Sequence, residues 1–179
     1  MFRLLIWAFI CPIIIYDVPE GELHWSNIKP AHSRFCVPAA FTDTNGKIEG
    51  EYIINGVIFN KNNKKKISIC GDTFYIDNEW RSDNGFQQLV LIKNNKINSF
   101  KDDRKAVRRA LCKDKDKLLI IESTNRITLS EFAKLCKTYC SDAVYLDMGI
   151  YGYGVINNKP VSSWAYFWKH LQTNWLYIE

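Results

Sequence analysis

The feature that most constrains this chain is a succession of short β-prone runs broken by turn-forming residues, sustained from Ile13 to Ile121. Runs joined by such tight connections pair antiparallel, because a parallel crossover needs a dozen residues or more. The sharpest instance is Tyr52-Ile53-Ile54-Asn55-Gly56-Val57-Ile58-Phe59. Two β-rich triplets there flank Asn-Gly, a centre whose residues both accept the positive φ that a two-residue hairpin turn demands. The same alternation places residues 13–18 and 22–25 around Pro19-Glu20-Gly21, and residues 35–40 before the turn-rich stretch 42–46. It places 67–70 and 73–76 around Gly71-Asp72, 89–92 and 97–100 around a connector at 93–96, and 110–112 and 118–121 around the polar stretch 113–117.

One segment reads differently. Thr128-Leu129-Ser130-Glu131 is a capping box, in which the Thr128 hydroxyl and the Glu131 carboxylate each satisfy a backbone N–H at a helix start. Phe132, Leu135, Cys136 and Tyr139 then recur at helical spacing, so a helix with one face on the sheet is expected. The apolar strand Ala143-Val144-Tyr145-Leu146 follows and ends on Asp147, a position that marks a functional carboxylate. Behind it, Gly149, Gly152 and Gly154 can let a ligand approach the backbone, or can simply make a tight connection. They lack the spacing and the following helix of a dinucleotide fingerprint. The expected fold class is α+β: a twisted, mostly antiparallel sheet of short strands with one well-capped helix packed against it.

The chain has 179 residues, 47% of them hydrophobic, enough for the core of one domain spanning residues 1–179. The net charge of +5 is spread out, apart from Lys64-Lys65-Lys66 and the group Arg104, Lys105, Arg108 and Arg109, without the interleaved aromatics of a nucleic-acid surface. Lys64 to Lys66 read as a solvated hairpin turn. Six cysteines are too dispersed for a disulfide framework. Cys136 and Cys140 would share a helix face, but no further ligands stand nearby to complete a metal site, so they read as buried apolar thiols and no metal is assigned. No cofactor is assigned either. The apolar run 4–15 is shorter than a membrane span and fits either a signal segment or a first strand, which leaves both an exported and an intracellular location open. The oligomeric state is not encoded in any motif.

Arg108-Arg109-Ala110-Leu111, Leu118-Leu119-Ile120-Ile121, the capped helix and Asp142-Ala143-Val144-Tyr145-Leu146-Asp147-Met148-Gly149 together resemble the central part of the phosphodiester glycosidase family. That family includes the uncovering enzyme, which removes N-acetylglucosamine from phosphorylated mannose, and many bacterial domains of unknown role. Pro38-Ala39-Ala40-Phe41-Thr42-Asp43 resembles the family's Asn-Gly-Gly-Phe-Phe segment, and Thr173-Asn174-Trp175-Leu176 its closing strand. Where the typical member has glycines ending in serine after the aspartate, this chain has Met148, Ile150 and Tyr151.

The resemblance implies a hydrolase acting on a sugar-phosphate or glycosidic bond, with a small sugar-phosphate or glycan as ligand. Asp147 would be the acid/base or stabilising carboxylate and Arg108 a bidentate phosphate clamp, with His170, Asp72 or Asp43 as candidates to complete an acid/base pair. Gly149, Tyr151, Trp164 and Asn174 are the expected substrate contacts. Aromatics thicken toward the C-terminus (Tyr151, Tyr153, Trp164, Tyr166, Phe167, Trp168 and Trp175), as either a sugar-stacking face or an aromatic core. Ser162-Ser163 lacks a nucleophile elbow, which argues against serine-hydrolase chemistry. The alternative is a degenerate member of the same fold that binds a glycan or nucleotide-like ligand without turnover.

Overall fold

The computed structural model of the chain describes residues 12–148, 154–160 and 174–178. In chain order the strands are β1 (Ile13–Asp17), β2 (Leu23–Ser26), β3 (Phe35–Pro38), β4 (Tyr52–Ile54), β5 (Val57–Phe59), β6 (Lys66–Cys70), β7 (Thr73–Asp77) and β8 (Gly85–Gln87). There follow β9 (Val90–Lys93), β10 (Lys96–Ile97), β11 (Arg109–Asp114), β12 (Lys117–Ser123), the helix α1 (Leu129–Cys136) and β13 (Asp142–Leu146). The last strands are β14 (Val155–Ile156), β15 (Lys159–Pro160) and β16 (Trp175–Ile178). They form three sheets, ordered β1-β12-β11-β13-β9-β10, β15-β14-β3-β16-β2 and β5-β4-β8-β6-β7. Every strand pairing among the described residues is antiparallel.

The α+β expectation therefore holds in a strongly sheet-rich form, with three sheets where one was expected and eight residues in the one helix described. Asparagine does much of the turning. Asn55-Gly56, Asn94-Asn95 and Asn157-Asn158 all have positive φ and close the hairpins β4–β5, β9–β10 and β14–β15. Asn tolerates the left-handed region because its short amide can bond locally, and this matches the twist of two-residue hairpins.

Several boundaries differ from the sequence expectation. The connector at 93–96 contracts to Asn94-Asn95, since Lys93 and Lys96 pair across the turn. Residues 113 and 114 extend β11, leaving only Lys115 and Asp116 in the turn to β12. β3 stops at Pro38, so Ala39 and Ala40 leave the strand. Strand β8 was not expected, because it opens on glycine and carries a polar residue. A Cβ on Gly85 would lie 2.4 Å from the Ile67 carbonyl and 2.8 Å from the Trp80 ring, a space only glycine leaves open. Lys66 is not part of a solvated turn. It opens β6 and places its Nζ 2.8 Å from the wholly buried Glu51 carboxylate.

The six-stranded sheet positions the site. Its alternating side chains separate two cores. Leu111, Ile120, Val144 and Leu146 face inward to a cluster shared with the other sheets, which includes Trp25, Phe35, Ile67 and Phe86. Ala110, Cys112, Ile121, Ala143 and Tyr145 face the opposite way, against Leu129, Phe132, Ala133 and Cys136 of α1. Burying a side chain such as Phe132 stabilises this layer by roughly 2–3 kcal/mol. The helix begins as expected, with Thr128 Oγ1 accepting from the Glu131 N–H at 3.2 Å and Glu131 accepting from the Thr128 N–H at 2.8 Å. It ends at Cys136, three residues before the exposed Tyr139.

Candidate functional site

Strand β13 carries Tyr145 toward the helix side, and Asp147, one residue past its end, continues that alternation. Arg108 stands just before β11, two residues from the helix-facing Ala110, and so joins the same face. The three side chains share that face. The Arg108 guanidinium lies over the Tyr145 ring, 5.7 Å from its centre. Burial pushes the Tyr145 hydroxyl above its ordinary pKa; the Arg108 contact pulls it down and the nearby Asp147 carboxylate pushes it up. Tyr145 is consequently a neutral phenol held between a cation and an anion.

Arg108 is 3% exposed and held from several sides. Its Nε donates to the Ile127 carbonyl at 3.3 Å and its Nη2 to the Arg104 carbonyl, with Asp102 Oδ2 at 4.0 Å. Its backbone N–H donates to the Ser123 hydroxyl at 2.8 Å. One edge of the guanidinium is thus used within the fold.

Ala39 and Ala40, having left β3, form the opposite wall. The Ala39 carbonyl accepts from the Asp147 N–H at 2.9 Å and from Gln88 Nε2 at 3.2 Å. Asn174 clamps Ala40 on both sides: its Oδ1 accepts from the Ala40 N–H at 2.7 Å, and its Nδ2 donates to the Ala40 carbonyl at 3.0 Å. Trp25 Nε1 adds a further donor to Asn174 Oδ1 at 3.4 Å. Phe41 then turns back to place its ring 5.3 Å from that of Tyr145. Segments far apart in sequence, 39–41, 88, 108, 145–147 and 174, are tied into one unit around the half-buried Asp147.

Of the residues expected from sequence, Asp147, Arg108 and Asn174 belong to this unit. Asn174 does so with its amide turned onto the Ala40 backbone. His170, Gly149, Tyr151 and Trp164 lie outside the described residues, as do Tyr153, Tyr166, Phe167 and Trp168, whereas Trp175 is described and buried at 1% exposure. Asp43 caps its own turn, accepting from the Asn45 and Lys47 N–H groups at 2.8 and 2.9 Å. Asp72 lines a separate groove of about 590 Å³ with Asp17, Glu20 and Asp116. Neither touches the Asp147 unit. Tyr145, Gln88 and Phe41 were not singled out in sequence, although the two-residue step from Tyr145 to Asp147 in a strand already places both on one face. Among the described residues, no group of three or more His, Cys, Asp or Glu is arranged to hold a metal, and no helix is long and apolar enough to cross a membrane.

Comparison with known proteins bears on the family and the fold. A family model described as phosphodiester glycosidase matches residues 34–160. No curated protein sequence matches the chain. Among solved structures, the chain is similar to the zebrafish N-acetylglucosamine-1-phosphodiester α-N-acetylglucosaminidase catalytic domain, auto-inhibited by its pro-peptide. The TM-score is 0.60 at 16% identity, covering 94% of this chain and 73% of that one. A hypothetical protein from Synechocystis matches with a TM-score of 0.52 at 10% identity, covering 94% of this chain and 57% of that one.

Proposed function

The chain belongs to the phosphodiester glycosidase family, and from that premise we propose that it hydrolyses the bond between a sugar and a phosphate, with Asp147 as the carboxylate at the reacting carbon. The observation that carries this reading is the convergence of Arg108, Tyr145 and Asp147 on one face at the end of β13, opposite the clamped Ala39-Ala40 backbone. Asp147 stabilises positive charge developing on the sugar ring as the bond to the phosphate oxygen breaks. Arg108 supplies the opposite charge. With Nε bound to Ile127 and Nη2 to Arg104, the outer N–H groups of its guanidinium serve Tyr145 and a phosphate oxygen. Water adds to the sugar carbon as the sugar–phosphate bond breaks and one of its protons passes to the departing phosphate, while Tyr145, a neutral phenol, donates a hydrogen bond to that phosphate. Asn174 and Gln88 act as positioning residues through Ala39 and Ala40, while Gly149, Tyr151, Trp164 and His170 are the remaining candidates for substrate contact.

A second reading, binding without turnover, is favoured by Met148. This bulky residue follows Asp147 directly, is 8% exposed, and stands where the family resemblance has glycine. One experiment separates the two. Wild-type protein and Asp147→Asn are incubated with a panel of sugar 1-phosphodiesters and glycan fragments, and both release of phosphate monoester and binding are followed. Turnover by the wild type that falls about 10²–10⁴-fold in the variant is the expected result. Turnover that survives the substitution removes Asp147 from the chemistry, and binding without turnover in both proteins replaces hydrolysis with the binding-module reading.

A further inference from the structure

Away from this site, α1 and β11 enclose a group of thiols. Cys112 stands at the middle of β11 on the helix side, Cys136 is the last residue of α1, and Cys140 follows in the connection to β13. Cys112 and Cys136 are fully buried and Cys140 is 4% exposed. All three belong to the same buried cluster between the sheet and the helix, and the Ser141 N–H, next to Cys140, donates to the carbonyl of Lys113, next to Cys112, at 3.0 Å. Cys140 in turn donates to the Cys136 carbonyl at 3.3 Å. The trio is not arranged as a metal-ligand set, and nothing in the proposed hydrolysis uses it.

We infer that Cys112 and Cys140 form a disulfide-bonding site, closed by exchange with a small-molecule disulfide when the chain folds under oxidising conditions, and that Cys136 is the thiol left over. The choice of pair follows from where the three residues sit. Cys112 is fixed by its ladders to β12 and β13. Cys136 is held in the regular helix. Cys140 lies beyond the helix end, outside both helix and strand, and is the one of the three not held in regular structure while meeting the narrow geometry of a disulfide. It is also the least enclosed of the three, and opening the last turn around the exposed Tyr139 uncovers it first.

The chemistry balances with a disulfide such as oxidised glutathione as the oxidant. The Cys140 thiol gives up its proton, and its sulfur attacks one sulfur of the small disulfide; a mixed disulfide forms and one small thiolate leaves. The Cys112 sulfur, deprotonated in turn, attacks the Cys140 sulfur, forms the Cys112–Cys140 bond and expels the second small thiolate. The two protein thiols are oxidised by two electrons in total, and one small disulfide is reduced to two thiols, which take up the two protons. Burial raises the Cys112 pKa well above its ordinary value, so the exchange runs during folding rather than on the closed native protein.

The test is to refold the full chain from denaturant in a mixture of reduced and oxidised glutathione, alkylate the remaining thiols, and map the peptides by mass spectrometry. Two alkylatable thiols are lost, Cys112 is found linked to Cys140, Cys136 is found alkylated, and Tm rises by several degrees over the fully reduced protein. Cys136→Ala retains the bridge, and Cys140→Ala loses it. A natively refolded wild-type protein in which all three thiols are alkylated, or in which a bridge omits Cys112 or Cys140, overturns the assignment whether or not either variant folds.

Discussion

Arg108 and Arg109 are consecutive, yet they end on opposite faces of the six-stranded sheet, and the two faces use charge differently. On the inner face Arg109 is fully buried, and its Nε and Nη2 donate to Glu122 Oε2 at 3.0 and 2.8 Å. That pair faces the main core, enclosed by the other sheets. On the helix face Arg108 meets a phenol and, beyond it, a carboxylate at a strand end that is only half buried. The lesson is that burial of charge does not mark a site. A charge satisfied inside the core serves the fold, while the carboxylate at the rim, held through its backbone N–H, stays half exposed.

Substitutions on the inner face test that division most strongly. Glu122→Ala leaves the Arg109 guanidinium buried without its partner and is expected to cost about 3 kcal/mol in denaturant unfolding, with activity per folded molecule retained. A loss of activity at unchanged stability would invert the comparison. Asn174→Ala sharpens it from the other side. It removes the partners of the Ala40 N–H and carbonyl, and is expected to cost roughly 2–3 kcal/mol while also loosening the wall opposite Asp147, so stability and turnover fall together.

A third comparison is with the Glu51 cluster. Burial raises the pKa of this carboxylate, but Lys66, the Asn62 N–H and Trp80 Nε1 at 2.8 Å together hold it below its ordinary value. A depressed carboxylate contributes stability that is present above its unfolded pKa and is lost as the pH falls through the folded one. Acid unfolding of the wild type is therefore expected to be steep below the ordinary carboxylate range and shallower in Glu51→Gln. Parallel acid profiles would deny Glu51 this role. The smallest effect is at the helix start: Thr128→Ala is expected to cost about 1 kcal/mol by loss of the cap and to leave turnover unchanged.

The local devices were legible in the sequence because each is complete within a few residues. Asn55-Gly56 specifies its turn, and Thr128 with Glu131 specifies the helix start, whatever the rest of the chain does. The place of Asp147, one residue past the end of a buried strand, was legible for the same reason. Partnerships across the fold were not. Nothing near Asn174 announces that its amide will hold Ala40, at a separation of 134 residues. Glu51 looks like a surface residue beside a hairpin until Lys66 and Trp80 close over it. Gly85-Phe86-Gln87 lacks the alternation of an exposed strand because all three residues are buried in the middle of their sheet. The thiol trio divides between a strand and a helix end, and only the four-residue spacing of Cys136 and Cys140 hinted at it.

The division between the two faces is tested most directly by measuring Tm and turnover of a sugar 1-phosphodiester side by side for Asp147→Asn and Glu122→Ala. The expected result is a double dissociation: Asp147→Asn keeps the wild-type Tm within a few degrees and loses about 10²-fold or more in kcat, while Glu122→Ala loses stability and keeps kcat per folded molecule. If both variants lose stability and activity in proportion, the helix-side end of β13 is structural like the inner face, and the assignment of the chemistry to Asp147 fails.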